Sequence, residues 1–353
     1  MSSSSTRHVL MTANIVTSVI IPIRNEERYI ESCIESLLQQ DYPIEQLEFL
    51  LVDGNSTDRT CDIVQQYCAQ YPQLQLLNNP DKTVPYALNL GIRASKGSYI
   101  ILMSAHSTYP GDYISKCIEV IERTGADNVG GVIETRSHGL WGTAIAHMLS
   151  SKFGVGNARY RVGGAKDGYV DTVPFGTFRR EGFDKFGYFD LRLTRNQDYE
   201  LNYRIRKNGG EIYLSTDIRL TYYSRDSMRS LMKMGFQNGK WSVITSFLCP
   251  GSMGVRHLIP LLFVLSLLTL VPASLFFPHM WWTYILLAEV VCYGLLDLGY
   301  SLSIAMKNKV KYFLPLILLY LVFHISYGLG SLVGLFSRSI WKTGDKQGRQ
   351  AKD

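Results

Sequence analysis

The residues best placed to do chemistry stand just after short apolar runs. Asp53 follows LEFLLV and opens VDGNSTDRT, with Ser56 and Asp58 close behind. A carboxylate at the end of a strand accepts hydrogen bonds, so Asp53 can hold a base edge or a ribose. Asp, Asn and Ser also dominate turns and helix caps, and that alternative stands for Asp53 and Asp58. IPIRNEE closes the run at 17–23, and SAHSTYP follows the run at 99–103. No GxGxxG follows the first run and no GxxxxGKS occurs, so a Gly-rich phosphate cradle is excluded. The six cysteines show no CxxC or Cys/His metal spacing. They read as free thiols in a reducing compartment.

Those positions need a scaffold that brings strand ends together. The β-branched run at 17–23 reads as a buried parallel strand, and 26–39 follows at helical spacing. A strand at 47–52, a helix at 57–71 and a strand at 74–77 come next. A helix at 84–94 and a strand at 99–103 complete the series. Alternation in this order predicts an α/β fold with an open, mostly parallel sheet. Ligands bind such sheets beyond the carboxyl ends of the strands. That rule singles out 22–26, 53–58 and 104–107.

The rest of the chain is of another kind. Of 353 residues, 19% are charged, and the deficit is local: from His257 onward there are 8 of the 36 Lys+Arg and 4 of the 30 Asp+Glu. Stretches 258–277, 281–306 and 312–336 are each long enough to cross a bilayer, which takes about 20 apolar residues. The KNKVK loop at 307–311 carries three Lys, which predicts a cytoplasmic loop and a cytoplasmic N-terminal domain. Three full crossings would then export a tail holding Arg338, Lys342, Lys346, Arg349 and Lys352. A re-entrant or interfacial segment is the alternative. Glu289 and Asp297 are costly inside a membrane; either they serve function or they pair with a neighbouring helix, for instance at His324. MSSSSTRHVLMTAN has no apolar core, which predicts no cleavable leader. The net charge of +6 is scattered, which excludes a nucleic-acid signature. The divisions predicted are an extension at 1–16, a soluble domain at 17–225, an amphipathic interface region at 226–256, a transmembrane region at 257–338 and a basic tail at 339–353.

Taken together, IPIRNEE, VDGNSTDRT, ALNLGIRASKG, FGTFRREGFDKFGYFD, NQDYELNYRIRKNGG and QNGKW resemble, in order, the family 2 glycosyltransferases with a GT-A fold. The likeness runs from about Ser18 to Trp241 and is nearest to the membrane-bound succinoglycan-type enzymes. It implies a Rossmann-like GT-A domain followed by an interface helix and about three transmembrane helices. It implies that Pro22, Arg24, Asn25, Glu26, Asp53, Ser56, Asp58, Ser104, Ala105, Gly176 and Thr177 line the nucleotide-sugar pocket, with Asp53 on the base. By the same likeness Asp198 is the general base, although Gln197 stands where the family has Glu. Gln237, Lys240 and Trp241 match QxxRW with Lys in place of Arg.

The largest departure is at the family's metal motif, DxD, which here reads Ser104-Ala105-His106. His106 offers an imidazole, which in an oxygen-rich site favours Mn2+ or another transition ion over Mg2+. The alternative is a plain strand-end residue. A pyrophosphate leaving group needs a cation, and Lys240, Arg179 or Arg180 can share that load if the metal is weakly held. Lys240 reads equally as a membrane-surface lysine.

The resemblance implies transfer of a sugar, with inversion, from a nucleotide-sugar donor to a lipid-linked saccharide. UDP-glucose is the donor it favours, and a polyprenyl-pyrophosphate carrier the acceptor. The place is the cytoplasmic face of the cell membrane, in exopolysaccharide or surface-glycan assembly. The alternatives are transfer to a bare polyprenyl phosphate and a silent membrane scaffold or nucleotide-sugar sensor.

Overall fold

The computed structural model describes residues 15–278 and 280–337. Most of the extension, the tail with its five basic residues, and Trp341 lie outside the described residues.

The first seven elements are β1 (Thr17–Ile23), α1 (Ile30–Leu38), β2 (Leu47–Asp53), α2 (Thr60–Gln70), β3 (Leu74–Asn78), α3 (Val84–Ala94) and β4 (Tyr99–Leu102). They form because apolar runs alternate with one-faced helices: Ile30, Cys33, Ile34 and Leu37 make the buried face of α1. β5 (Ser107–Thr108), α4 (Tyr113–Thr124), β6 (Asn128–Arg136), α5 (Gly139–Leu149) and α6 (Lys152–Val155) follow. The domain closes with β7 (Gly168–Tyr169), β8 (Thr177–Arg179), α7 (Glu181–Phe186), α8 (Gln197–Lys207) and β9 (Ile212–Tyr223).

One curled sheet runs β3-β2-β1-β4-β8-β6-β9-β5, with β7 beside β9. The strands from β3 to β4 are parallel. β8 then enters antiparallel to β4 and to β6, so the sheet is mixed beyond that point. In register, Ile23 pairs with Asp53 and Asp53 with Asn78, which brings three carboxyl ends to one edge. Two apolar clusters pack on the sheet's faces, one around Ile21, Phe49 and Ile101, the other around Ile20, Leu50 and Ile100. Adjacent residues of each strand thus serve opposite faces.

α9 (Met228–Leu248) then leads to α10 (Ile259–Phe276), α11 (Trp281–Lys307) and α12 (Phe313–Leu335). Among the described residues, three helical segments are long and apolar enough to cross a membrane: 22, 27 and 26 residues. The apolar face of α9 is not left bare for lipid, because α12 covers it. Glycines at both surfaces let the backbones touch: Gly235 meets Phe323, Gly239 meets Tyr327, and Gly330 meets Phe236. Glu289 reaches a neighbouring helix at Ser266, and Asp297 accepts from Ser301 of its own helix at 3.0 Å. Neither meets His324. Its Nδ1 is 3.0 Å from the Tyr293 hydroxyl and its Nε2 3.0 Å from the Phe153 carbonyl.

Candidate functional site

A cleft of about 930 Å3 opens at the carboxyl ends of β1, β2 and β4, where ligands of open α/β sheets sit. Pro22, Arg24 and Glu26 line it from the end of β1, and Ser104 and His106 from the end of β4. Gly176 and Asp198 line the opposite wall. Gly176 is close-fitted there: a side chain would run into the Asn128 amide.

Asn25, Asp53, Ser56, Asp58, Ala105 and Thr177, also singled out in the sequence, do not line it. Asp53 is buried, and both its carboxylate oxygens accept from the Ser56 backbone N–H. The Ser56 hydroxyl also donates to Asp53. Asp58 accepts from the Thr60 N–H and hydroxyl at the start of α2. Asn25 accepts from the Thr57 N–H at 2.8 Å, which ties the two loops together. These are turn and cap bonds, and they position the loops that reach the cleft. Ala105 is buried in the turn between β4 and β5, and Thr177 is buried in β8.

The arginines expected at the pyrophosphate are committed elsewhere. Arg179 pairs with Glu122 at 2.9 Å and donates to the Ile121 carbonyl. Arg180 donates to the Gly97 carbonyl and the Ser95 hydroxyl. Neither lines the cleft, nor do Gln237, Lys240 and Trp241. The physical reason for Arg179 and Arg180 is the short strand β8, which carries both past the cleft before they turn outward.

The cations that do line the cleft are Arg24, Lys82, Arg161, Arg195, Arg225 and Lys233. Arg195 donates to Asn238 at 2.9 Å. Burial and the neighbouring Arg225 hold its guanidinium below its usual value, the mark of positive charge gathered without a matching anion. Arg161 lies over the Tyr222 ring, 4.9 Å from its centre. Burial acts to raise Tyr222, but His106, Arg161 and Arg225 outweigh it and hold the phenol below its ordinary value. One signal for Lys233 was legible: Arg229, Lys233 and Lys240 share a helical stripe. Which of them meets the cleft depends on where the helix passes it.

His106 Nδ1 is 3.0 Å from Glu26 Oε1. Burial disfavours its charged form, yet Tyr222 and the Glu26 carboxylate raise it above the ordinary histidine range. Among the described residues no three His, Cys, Asp or Glu side chains gather to hold an ion. Glu26 and His106 supply two donors, and a nucleotide diphosphate brings oxygens of its own, as divalent sites at phosphates use. The residues present thus fit a cation shared between chain and donor.

Asp198 stands in the first turn of α8, after Asn196 in a left-handed conformation (φ 61°). Burial pushes its carboxyl up, against the backbone N–H groups of the helix start that favour the ionised form. Phe175, φ 47°, and Lys82, φ 64°, also line the cleft. Left-handed backbone at bulky residues is uncommon and gathers at working sites. Three buried oxygens of cleft residues, Thr83 Oγ1, Gln197 Oε1 and Asn128 Oδ1, have no hydrogen-bond partner. Buried polar atoms are rarely left so, and hydroxyl groups of a bound sugar suit them.

A second cavity of about 570 Å3 shares Tyr160, Arg161, Tyr222, Arg225 and Met234 with the first. It extends to Phe263, Tyr293, Leu296 and Phe323 on α10, α11 and α12.

Comparison with known proteins places this geometry. Residues 18–187 match the family described as Glycosyl transferase family 2. The chain is 27% identical over 322 residues to a dolichyl N-acetyl-α-D-glucosaminyl phosphate 3-β-D-2,3-diacetamido-2,3-dideoxy-β-D-glucuronosyltransferase of Methanococcus voltae, covering 88% of this chain and 95% of the relative. It is 30% identical over 246 residues to the succinoglycan biosynthesis protein ExoA of Rhizobium meliloti, covering 69% and 74%. The mannosyltransferase PcManGT from Pyrobaculum calidifontis, solved with GDP-Man and Mn2+, shares the fold with a TM-score of 0.55 at 18% identity, over 91% of this chain and 87% of that one. Motif order, strand-end cleft and relatives of this coverage agree, and the chain belongs to the family 2 glycosyltransferases.

Proposed function

We propose that the chain transfers a sugar, with inversion, from a nucleotide-diphosphate donor to a hydroxyl of a lipid-linked saccharide. The domain works at the cytoplasmic membrane face, in the assembly of a surface or exported glycan. The observation that carries this reading is the continuity of the cleft. It runs from the strand ends at Pro22, Glu26 and Ser104 to Asp198, and opens into a cavity walled by apolar helices.

In this mechanism the donor's nucleoside lies at the ends of β1 and β2, with its diphosphate toward His106 and the cluster of Arg195, Arg225 and Lys233. The cluster stabilises the charge that develops on the leaving diphosphate. A divalent cation, when bound, adds charge at the same place, held by His106 and Glu26. Asp198 takes the proton of the acceptor hydroxyl as its oxygen attacks the anomeric carbon. Gln197 and Asn128 accept hydrogen bonds from sugar hydroxyls and orient the ring. The M. voltae relative is named for adding a sugar to a lipid-phosphate-linked sugar, whose nucleophile is a hydroxyl. A hydroxyl needs a base, whereas a bare polyprenyl phosphate does not, and Asp198 in the cleft favours the former.

The test is nucleotide release by purified full-length protein from a panel of UDP-sugars, with UDP-glucose first and GDP-mannose as a second arm. EDTA, Mg2+ and Mn2+ are varied, with and without membrane lipid extract. The expected result is lipid-stimulated turnover of one donor, abolished by Asp198→Asn. Full cellular function of Asp198→Asn would instead favour the scaffold.

A further inference from the structure

The second cavity is lined by two chemically distinct sets of residues. Four are cations: Arg161 and Arg225, which also line the cleft, Lys152 from α6, and Arg256 just before α10. The described carboxylate paired to any of these four is Asp171, 3.5 Å from Arg256. Ile259, Phe263, Leu296 and Phe323 from the apolar helices make up the other set. Positive charge beside an aliphatic–aromatic wall matches an amphiphile with a small anionic head.

We infer that this cavity seats the phosphate-bearing head of a polyprenyl lipid, with the head on Arg256, Lys152 and Arg161 and the first isoprene units along Phe263 and Leu296. The inference rests on the reading of the chain as a lipid-directed transferase and supplies that acceptor's place. Guanidinium groups bind phosphate oxygens in paired, charge-assisted bonds. The isoprene units gain by leaving water for the apolar wall. A head seated here puts a sugar attached to it at Arg161 and Tyr222, which line both cavities, and so within reach of Asp198. Glu289 also borders this cavity, with one carboxyl oxygen buried and unpartnered. It lies on α11 with Tyr293 and Leu296.

The experiment is native mass spectrometry of the full chain from detergent, with four probes: a long-chain polyprenyl phosphate, the matching uncharged polyprenol, phosphatidylglycerol and inorganic phosphate. A photoreactive polyprenyl phosphate then maps the contact. The expected result is retention of polyprenyl phosphate over the other three, with crosslinks on peptides carrying Phe263 or Leu296. Arg256→Gln is expected to weaken retention about tenfold, the size of a lost charged hydrogen bond. Equal competition by phosphatidylglycerol, or undiminished retention by both Arg256→Gln and Lys152→Gln, overturns the site. Nucleotide affinity measured on the same samples reports whether each variant is folded; if Arg256→Gln fails there, Arg256→Lys and Lys152→Gln decide. A protein that binds the lipid through Arg256 but no nucleotide sugar would sink the transferase reading and leave this site standing. One that binds nucleotide sugar but holds the lipid independently of Arg256 would sink this site alone.

Discussion

A carboxyl group that must take a proton works best when its pKa sits nearer the working pH than a free aspartate's. Burial has that effect on Asp198. The acid limb of kcat/KM is therefore expected above the ordinary carboxylate range, with activity rising through it as pH increases. The same shift bears on stability. A folded-state pKa above the unfolded one means the native protein binds more protons in that window, so stability falls as pH rises through it. Asp198→Asn removes this penalty. It is expected to melt at the same or a higher temperature at neutral pH while losing turnover by about a hundredfold or more. A clear fall in melting temperature would instead mark Asp198 as a structural partner. A second contrast lies among the cations. Lys233→Ala and Arg195→Ala are each expected to lower kcat by about tenfold to a hundredfold, and Lys240→Ala to leave it nearly unchanged, because Lys240 does not line the cleft. At this scale the motif positions Pro22, Glu26, Ser104, His106, Gly176 and Asp198 were legible in the sequence and do line the cleft. Of the cations, Arg24 and Lys233 left a signal in the sequence. Arg161, Arg195 and Arg225 come from separate stretches, and only folding brings them together.

The element that most shapes the membrane side is the pair α9 and α12. A GxxxG spacing occurs in each, Gly235–Gly239 and Gly330–Gly334, and these faces meet. Small residues let membrane helices approach until their backbones touch. A methyl group at Gly239 would meet the Tyr327 carbonyl oxygen, and one at Gly330 the Phe236 carbonyl oxygen. Backbone cannot rotate aside as a side chain can, so Gly239→Ala is expected to cost about 1–3 kcal/mol. Gly299→Ala on α11, where an added methyl meets nothing within 4 Å, is the control and is expected to be neutral. Melting of both variants in detergent reads the difference. Strand and helix order in the domain followed from apolar periodicity alone. The α9–α12 contact did not, because it joins residues about ninety positions apart, and pattern within one segment carries no record of its partner.

How the helices sit on the domain bears on the tension between segment length and tail charge. α9 is tied to the domain at both ends: Asp226, just before it, pairs with Arg28 at 2.7 Å, and Gly251, just after it, lies against Tyr203. α12 runs along α9 in the same direction, Phe323 at Gly235, Tyr327 at Gly239 and Gly334 at Lys240. Its first turn reaches the domain too, with Tyr312 against His147 of α5. Half of the α12 segment's apolar window is buried in protein, against 11% for those of α10 and α11. A helix held lengthwise on the domain does not lead away from it. The arrangement predicts that α10 and α11 cross as a hairpin, with the connection between them on the far face, and that α12 lies along the near surface. The three-Lys loop and the end of α12 then share the domain's face, as the positive-inside rule asks of that loop. Single cysteines in a background lacking the native ones test this with a membrane-impermeant maleimide. Pro278→Cys should react from the outer face of intact cells, and Lys309→Cys and Ser337→Cys only once the inner face is opened. Reaction of Ser337→Cys from outside would show that α12 crosses after all. Length and apolarity alone, read from sequence, could not separate a crossing helix from one laid along the domain, since both must shed water on every side.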